Sequence, residues 1–114
     1  LILIDQEGGR VQRLGPPHWP AYPAAGCVAA LGKTDPAKGQ RYMGLLGQLL
    51  ASDLAPLGIT VDCAPVLDVL QPETHGIIGN RALGDDPSLV ARFGPYSNGF
   101  SSRRNAGTPE AFTK

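Results

Sequence analysis

The sequence predicts an α/β fold with parallel strands. Two short apolar runs each end in an acid, LILID at 1–5 and ITVDCAPVLDV at 59–69. Two stretches with helical spacing each open on an Asp-Pro pair, at Asp35-Pro36 and Asp86-Pro87, and the two kinds alternate along the chain. With TPEAFTK (108–114) as a further strand, the order is strand, helix, strand, helix, strand, which favours a parallel sheet with right-handed crossovers over an all-α or all-β fold. About three strands and two helices are too few to close a barrel. They form either the core of a small open α/β sheet or part of a (β/α)8 barrel, whose full length is typically about 250 residues.

The elements follow in order. LILID is a continuous apolar run and suits a strand buried on both faces, with Asp5 where its end meets solvent. From Gly8 to about Lys33 the chain holds glycines, prolines, Trp19 and Tyr22 without periodicity, and reads as one long loop of the functional kind. Thr34 and Asp35 precede Pro36 as cap and first turn, and Met43, Leu46, Leu50, Leu54 and Leu57 then recur at helical spacing until Gly58. ITVDCAPVLDV is rich in β-branched residues and reads as a second buried strand, short or bent at Pro65. After the polar loop QPETHG, Asp86 caps a second helix with Leu89, Phe93, Tyr96 and Phe100 on one face; Pro95 kinks or shortens it and Gly107 stops it. In either architecture the loops after the strands gather at the carboxyl edge of the sheet, where ligands bind, and Asp5, Asp68 and Lys114 fall at that edge.

Composition narrows the function classes. The 114 residues carry formal net charge zero, 42% hydrophobic and 18% charged residues, which is neither a disordered composition nor one built for a polyanionic partner, so no nucleic acid is expected. Gly at 15 and Pro at 11 point to turns and long loops rather than a helical bundle. Cys27 and Cys63 are too few for a disulfide framework and lack metal-ligand spacing, so they read as ordinary core or near-surface thiols. No apolar stretch approaches the roughly 18 residues of a membrane span, and no signal-peptide pattern is present. The sequence opens on Leu1 with its one methionine at Met43, and LILI reads as a strand already under way, so a fragment of a single barrel domain over 1–114 is expected.

IDQEGGRVQRL (4–14) concentrates charge where a buried strand has just ended. Asp5 with Arg10 and Arg13 has the chemistry of a sugar or anion clamp: a carboxylate accepts from hydroxyls, a guanidinium donates in a planar fork, and Gly8 and Gly9 let the backbone come close. The same residues read equally as a salt-bridged loop at the rim. Arg81, in HGIIGNRALGDDP, is either a ligand contact or the partner of Asp85 or Asp86. His18 and His75 belong to no nucleophile or metal-ligand pattern and read as exposed loop histidines. GGRVQRLG lacks the lysine and Ser/Thr of a phosphate-binding loop. Glu7 and Asp68 are two carboxylates of the kind that glycoside hydrolysis pairs, at a separation the sequence does not give.

Taken together, IDQEGGRVQRL, APVLDV (64–69) and IIGNRALGDDP (77–87), in this order and spacing, resemble the bacterial β-N-acetylhexosaminidases of glycoside hydrolase family 3. The first is the most specific, because the family's β-glucosidases do not usually carry it, and the match covers most of residues 1–94. The resemblance implies a (β/α)8 barrel that removes terminal non-reducing N-acetylglucosamine with retention of configuration, commonly from muropeptides during peptidoglycan recycling and often in the cytoplasm. It implies that Asp5 binds sugar hydroxyls, that Arg13 contacts substrate, that Arg81 is the arginine of the family's IGxR segment, and that Lys114 opens the KH-x-PGHG segment. Residues 94–114 depart from the helix usual there, with Pro95, Arg103 and Arg104 in unexpected places. The family's acid/base histidine follows that lysine and its nucleophilic aspartate comes much later, so no catalytic residue is expected within these 114 residues. Glu7 and Asp68 match non-catalytic positions. The partner implied is a carbohydrate containing N-acetylglucosamine, with no metal or organic cofactor. The alternative is a non-catalytic sugar-binding α/β protein that ends near Lys114 and keeps the clamp without turnover.

Overall fold

The computed structural model describes residues 1–97. The side chain of Tyr96, Phe100, the stop at Gly107, the strand at 108–114 and Lys114 lie outside the described residues. Within them the fold is mixed α/β with parallel pairing, as the alternation predicts, and no barrel closes. Strand β1 (Leu3–Ile4) runs parallel to β4 (Val61–Asp62), with Leu3 opposite Val61 and Ile4 opposite Asp62. Strand β5 (Val66–Val69) runs parallel to β6 (Ala82–Gly84). Between β1 and β4 the chain forms an antiparallel hairpin, β2 (Gln6–Gly8) and β3 (Val11–Gln12), and the helices α1 (Ala25–Leu31) and α2 (Pro36–Leu54); α3 (Pro87–Phe93) follows β6.

The two expected helices form for the expected reasons. The Asp35 carboxylate accepts from the Lys38 backbone N–H at 3.0 Å with Pro36 in the first turn, and the Asp86 carboxylate accepts from the Ser88 N–H at 2.8 Å ahead of Pro87. Met43, Leu46, Leu50 and Leu54 are buried along α2. Leu57 is 48% exposed, because the helix tightens into a 3₁₀ turn over Ala55–Leu57 and takes it off the apolar stripe. Helix α3 stops at Phe93 and a 3₁₀ turn over Gly94–Ser97 contains Pro95, the shortening that Pro95 predicts.

Three expectations need correction. The first run is not buried on both faces: Leu1, Ile2 and Leu3 are 91%, 54% and 55% exposed, because among the described residues β1 has a ladder partner on one side only. The long loop from Gly8 to Lys33 contains α1, whose Ala25, Val28 and Ala29 bury one face at i, i+3 and i+4. It is seven residues long, has no side-chain cap and is made largely of small residues, so it gives little periodic signal. The run 59–69 is two strands rather than one, because Pro65 has no N–H to donate and the ladder changes partner across it.

The core lies where α1, α2 and α3 meet β6. Ala25, Val28, Ala29, Met43, Leu46, Leu50, Leu83, Leu89, Val90 and Phe93 form one buried cluster. Phe93 is fully buried over Gly32, where any Cβ would collide with its ring, so the seat of this ring against the end of α1 depends on glycine there. This apolar wedge sits behind β6 and steadies the chain that carries Arg81. No helix among the described residues is long and apolar enough to cross a membrane.

Candidate functional site

The site grows from the end of β1. Asp5 leaves the strand exposed, and the next residues turn back at once as the β2–β3 hairpin. The turn needs its glycines: Gly8 and Gly9 adopt φ of +84° and +59°, and a Cβ on Gly9 would stand 2.7 Å from Cβ of Ala24. The Gly9 N–H donates to the Tyr22 carbonyl at 2.8 Å, which presses the hairpin onto the chain leading into α1. Beyond it, the Tyr22 hydroxyl donates to Asp53 at 2.7 Å, and burial together with that carboxylate pushes the phenol up to about 12.

The hairpin brings Arg13 back to Asp5. Its Nη2 lies 3.3 Å from Asp5 Oδ2, with the two side chains 60% and 52% exposed. A pair this open contributes little to stability, about 0–1 kcal/mol, and both groups stay accessible to a ligand from solvent. Arg10 stands apart from them. Its guanidinium donates to the carbonyls of Gly76 and Ile77 and latches the HGIIGNR loop, so of the Asp5, Arg10 and Arg13 set only Asp5 and Arg13 are brought together.

Arg81 finds a partner other than Asp85 or Asp86. Its Nε donates to Glu7 Oε2 at 2.9 Å and its Nη2 to Oε1 at 2.8 Å, a two-pronged fork across 74 positions of sequence. Glu7 is buried, at 6% side-chain exposure, while Arg81 keeps 23%. The hydrogen bonds to Glu7 hold Arg81 more firmly protonated, burial opposes this, and the charges of Glu7, Asp5 and Asp68 reinforce it. Asp85 pairs with Lys33 at 3.5 Å and Asp86 caps α3. Glu7 is thus spent on Arg81 and Asp68 is exposed, an arrangement unlike a pair of carboxylates flanking a scissile bond.

Beneath this rim lie two polar residues that sequence reasoning did not single out. Gln6 is fully buried, and its Oε1 accepts from the backbone N–H of Arg13 at 2.8 Å and of Leu14 at 3.0 Å, while its Nε2 donates to the Leu14 carbonyl at 2.9 Å. Asp62, at the end of β4, accepts from the Gln6 backbone N–H at 3.0 Å. Burial pushes the Asp62 carboxyl up to about 7, the Gln6 N–H opposes, and the charges of Glu7 and Asp5 add to the rise. A glutamine beside two acids gives no local sign that it folds inward.

His18 and His75 are exposed, His18 edge-on to Trp19 with ring centroids 6.1 Å apart and His75 accepting from the Ile77 N–H through Nδ1. Cys27 and Cys63 are exposed as well. Among the described residues no group of His, Cys, Asp and Glu is placed to hold a metal ion.

Comparison with known proteins bears on this arrangement. Residues 1–100 match the model of the Glycosyl hydrolase family 3 N terminal domain. The chain belongs to glycosyl hydrolase family 3. It is 40% identical over 90 residues to a beta-hexosaminidase of Alkalilimnicola ehrlichii, covering 79% of this chain and 25% of that protein. To one from Stenotrophomonas maltophilia it is 36% identical over 113 residues, covering 98% and 33%. It therefore spans about a quarter to a third of the length of these curated relatives. Among solved structures, NagZ of Neisseria gonorrhoeae in complex with N-trifluoroacetyl-D-glucosamine superposes with a TM-score of 0.80 at 31% identity, covering 89% of this chain and 30% of that one. A beta-N-acetylhexosaminidase of Beutenbergia cavernae gives 0.73 at 28% identity, covering 100% and 32%. The α/β arrangement is thus shared with family 3 members, and the family resemblance carried by the three motifs holds.

Proposed function

We propose that these residues are the early part of the barrel domain of a β-N-acetylhexosaminidase, and that they hold the terminal N-acetylglucosamine of a muropeptide or related glycan. The observation that carries this reading is the open Asp5–Arg13 pair at the end of β1, a carboxylate and a guanidinium 3.3 Å apart and both more than half exposed. Asp5 accepts hydrogen bonds from sugar hydroxyls, and Arg13 donates to the oxygens beside them. Arg81 completes the rim: Glu7 takes its Nε and Nη2, which fixes the plane of the guanidinium, while Nη1 donates to the Ile77 carbonyl at 3.5 Å and turns its second N–H toward the sugar. Lys114 is proposed as a fourth contact, in keeping with the motif it opens. The likeness to a NagZ structure in complex with N-trifluoroacetyl-D-glucosamine supports an N-acetylated sugar as ligand.

Retaining hydrolysis requires a nucleophile and an acid/base group on opposite sides of the glycosidic bond, and neither role is assigned to any residue of this chain. Its contribution is binding that strengthens as the ring distorts toward the transition state. A cytoplasmic setting, with peptidoglycan fragments as the source of substrate, belongs to the same proposal.

The test is to read the coding DNA beyond the Lys114 codon in all frames and assay the protein it encodes on para-nitrophenyl N-acetyl-β-D-glucosaminide. The expected result is a His-x-Pro-Gly-His loop, a later aspartate at a strand end, and release of nitrophenol. A stop codon with no such loop in any frame, and a protein that binds N-acetylglucosamine without turnover, would replace the enzyme with a sugar-binding remnant.

A further inference from the structure

We propose that Gln6 and Asp62 are positioning residues of the sugar clamp: Asp62 fixes the Gln6 backbone, and the buried Gln6 amide in turn fixes the backbone of Arg13 opposite Asp5. The inference rests on the reading of Asp5 and Arg13 as sugar ligands and extends it to two residues that touch no ligand.

Arg13 lies just past the end of β3, in a stretch that no ladder constrains, and its own side chain is exposed. What fixes its backbone is Gln6. One side-chain oxygen accepts from two successive N–H groups, those of Arg13 and Leu14, while the amide nitrogen of the same side chain donates to the Leu14 carbonyl. All of the amide's hydrogen bonds named here converge on residues 13 and 14, and none of its surface meets water. The far end of the linkage is equally fixed. Asp62 sits on β4, the strand that pairs with β1 through Ile4, and its carboxylate reaches across to the N–H of the residue that follows Asp5. Asp5 therefore hangs between a strand ladder on one side and the Asp62-to-Gln6 contact on the other. Both halves of the clamp are located by this one buried linkage, so a change in it moves the Arg13 guanidinium relative to the Asp5 carboxylate. Fully buried polar side chains are costly unless satisfied, and here each hydrogen bond named falls on the segment that carries a clamp residue.

The experiment is a double-substitution cycle in the full-length protein, read as the Kd for N-acetylglucosamine by calorimetry, with unfolding midpoints recorded alongside. Gln6→Met keeps the volume and removes the acceptor, and is expected to weaken binding by about tenfold. In an Arg13→Ala background the same change is expected to add less than about twofold, because a residue that acts through Arg13 has nothing left to position. Equal losses in both backgrounds would overturn the proposal and leave Gln6 a purely structural amide. If Gln6→Met does not fold, Asp62 carries the test: Asp62→Ala removes the acceptor and weakens binding, and Asp62→Asn, which keeps an oxygen in the same place, recovers most of the loss. Equal affinity of those two variants would also overturn it. Failure of the underlying reading looks different: Arg13→Ala alone would then leave Kd unchanged.

Discussion

Two arginine–carboxylate pairs stand a few residues apart at the end of β1, and they differ in almost every respect that matters. Asp5 and Arg13 meet through one contact at 3.3 Å, both more than half exposed. Glu7 and Arg81 meet through two contacts at 2.9 and 2.8 Å, with Glu7 buried. The first pair spans eight positions across a glycine turn and can exchange its partner for a ligand at little cost. The second spans 74 positions and clasps the hairpin to the loop ahead of β6. Adjacent charges in a sequence can thus have opposite work, and burial rather than residue type decides which.

The largest effect expected from this difference is on stability. Arg81→Ala leaves the Glu7 carboxylate buried and unpaired and should lower unfolding free energy by about 3–5 kcal/mol, measured by urea unfolding of the full-length protein. A loss below about 1 kcal/mol would put the Glu7 pair in the same class as the open one.

The next effect belongs to the floor beneath both pairs. Folded Asp62 holds its proton up to about 7, whereas the unfolded chain releases it near 3.8. Between those values the folded state binds more protons, so this group's contribution to stability is full below the lower value and is lost as pH rises through about 7. The loss is on the order of 4 kcal/mol in total. Asp62→Asn keeps the acceptor for the Gln6 N–H and removes the titration, so its unfolding midpoint should exceed that of the wild type at pH 8 and converge with it near pH 4. Parallel stability curves for the two proteins across that range would show that Asp62 is ionised in the fold.

How much of this could be read from the sequence follows from how far each signal reaches. Helices α2 and α3 announce themselves locally, through Asp-Pro starts and an apolar stripe, and both lie where expected. The open pair was legible for the same reason, since two glycines between Asp5 and Arg13 suggest a chain folded back on itself. Helix α1, strand β6 and the hairpin were not legible: α1 is built of small residues, and the strands are two or three residues long, too short for alternation to register. Sequence offers Arg81 a ligand or the nearby Asp85 and Asp86, and its partner Glu7 is not legible because it is near only in space. Gln6 and Asp62 were invisible for a related reason: a buried polar side chain is chosen for partners that only the fold supplies.

The most direct test of the central claim is to measure kcat/KM and the unfolding midpoint together for Asp5→Ala in the full-length protein. An open pair that serves a sugar predicts a loss of about two orders of magnitude in kcat/KM, on the order of 3 kcal/mol of transition-state binding. It also predicts a stability change below about 1 kcal/mol. A near wild-type rate would contradict the account, and would leave Asp5 and Arg13 as a surface ion pair with no part in holding the sugar.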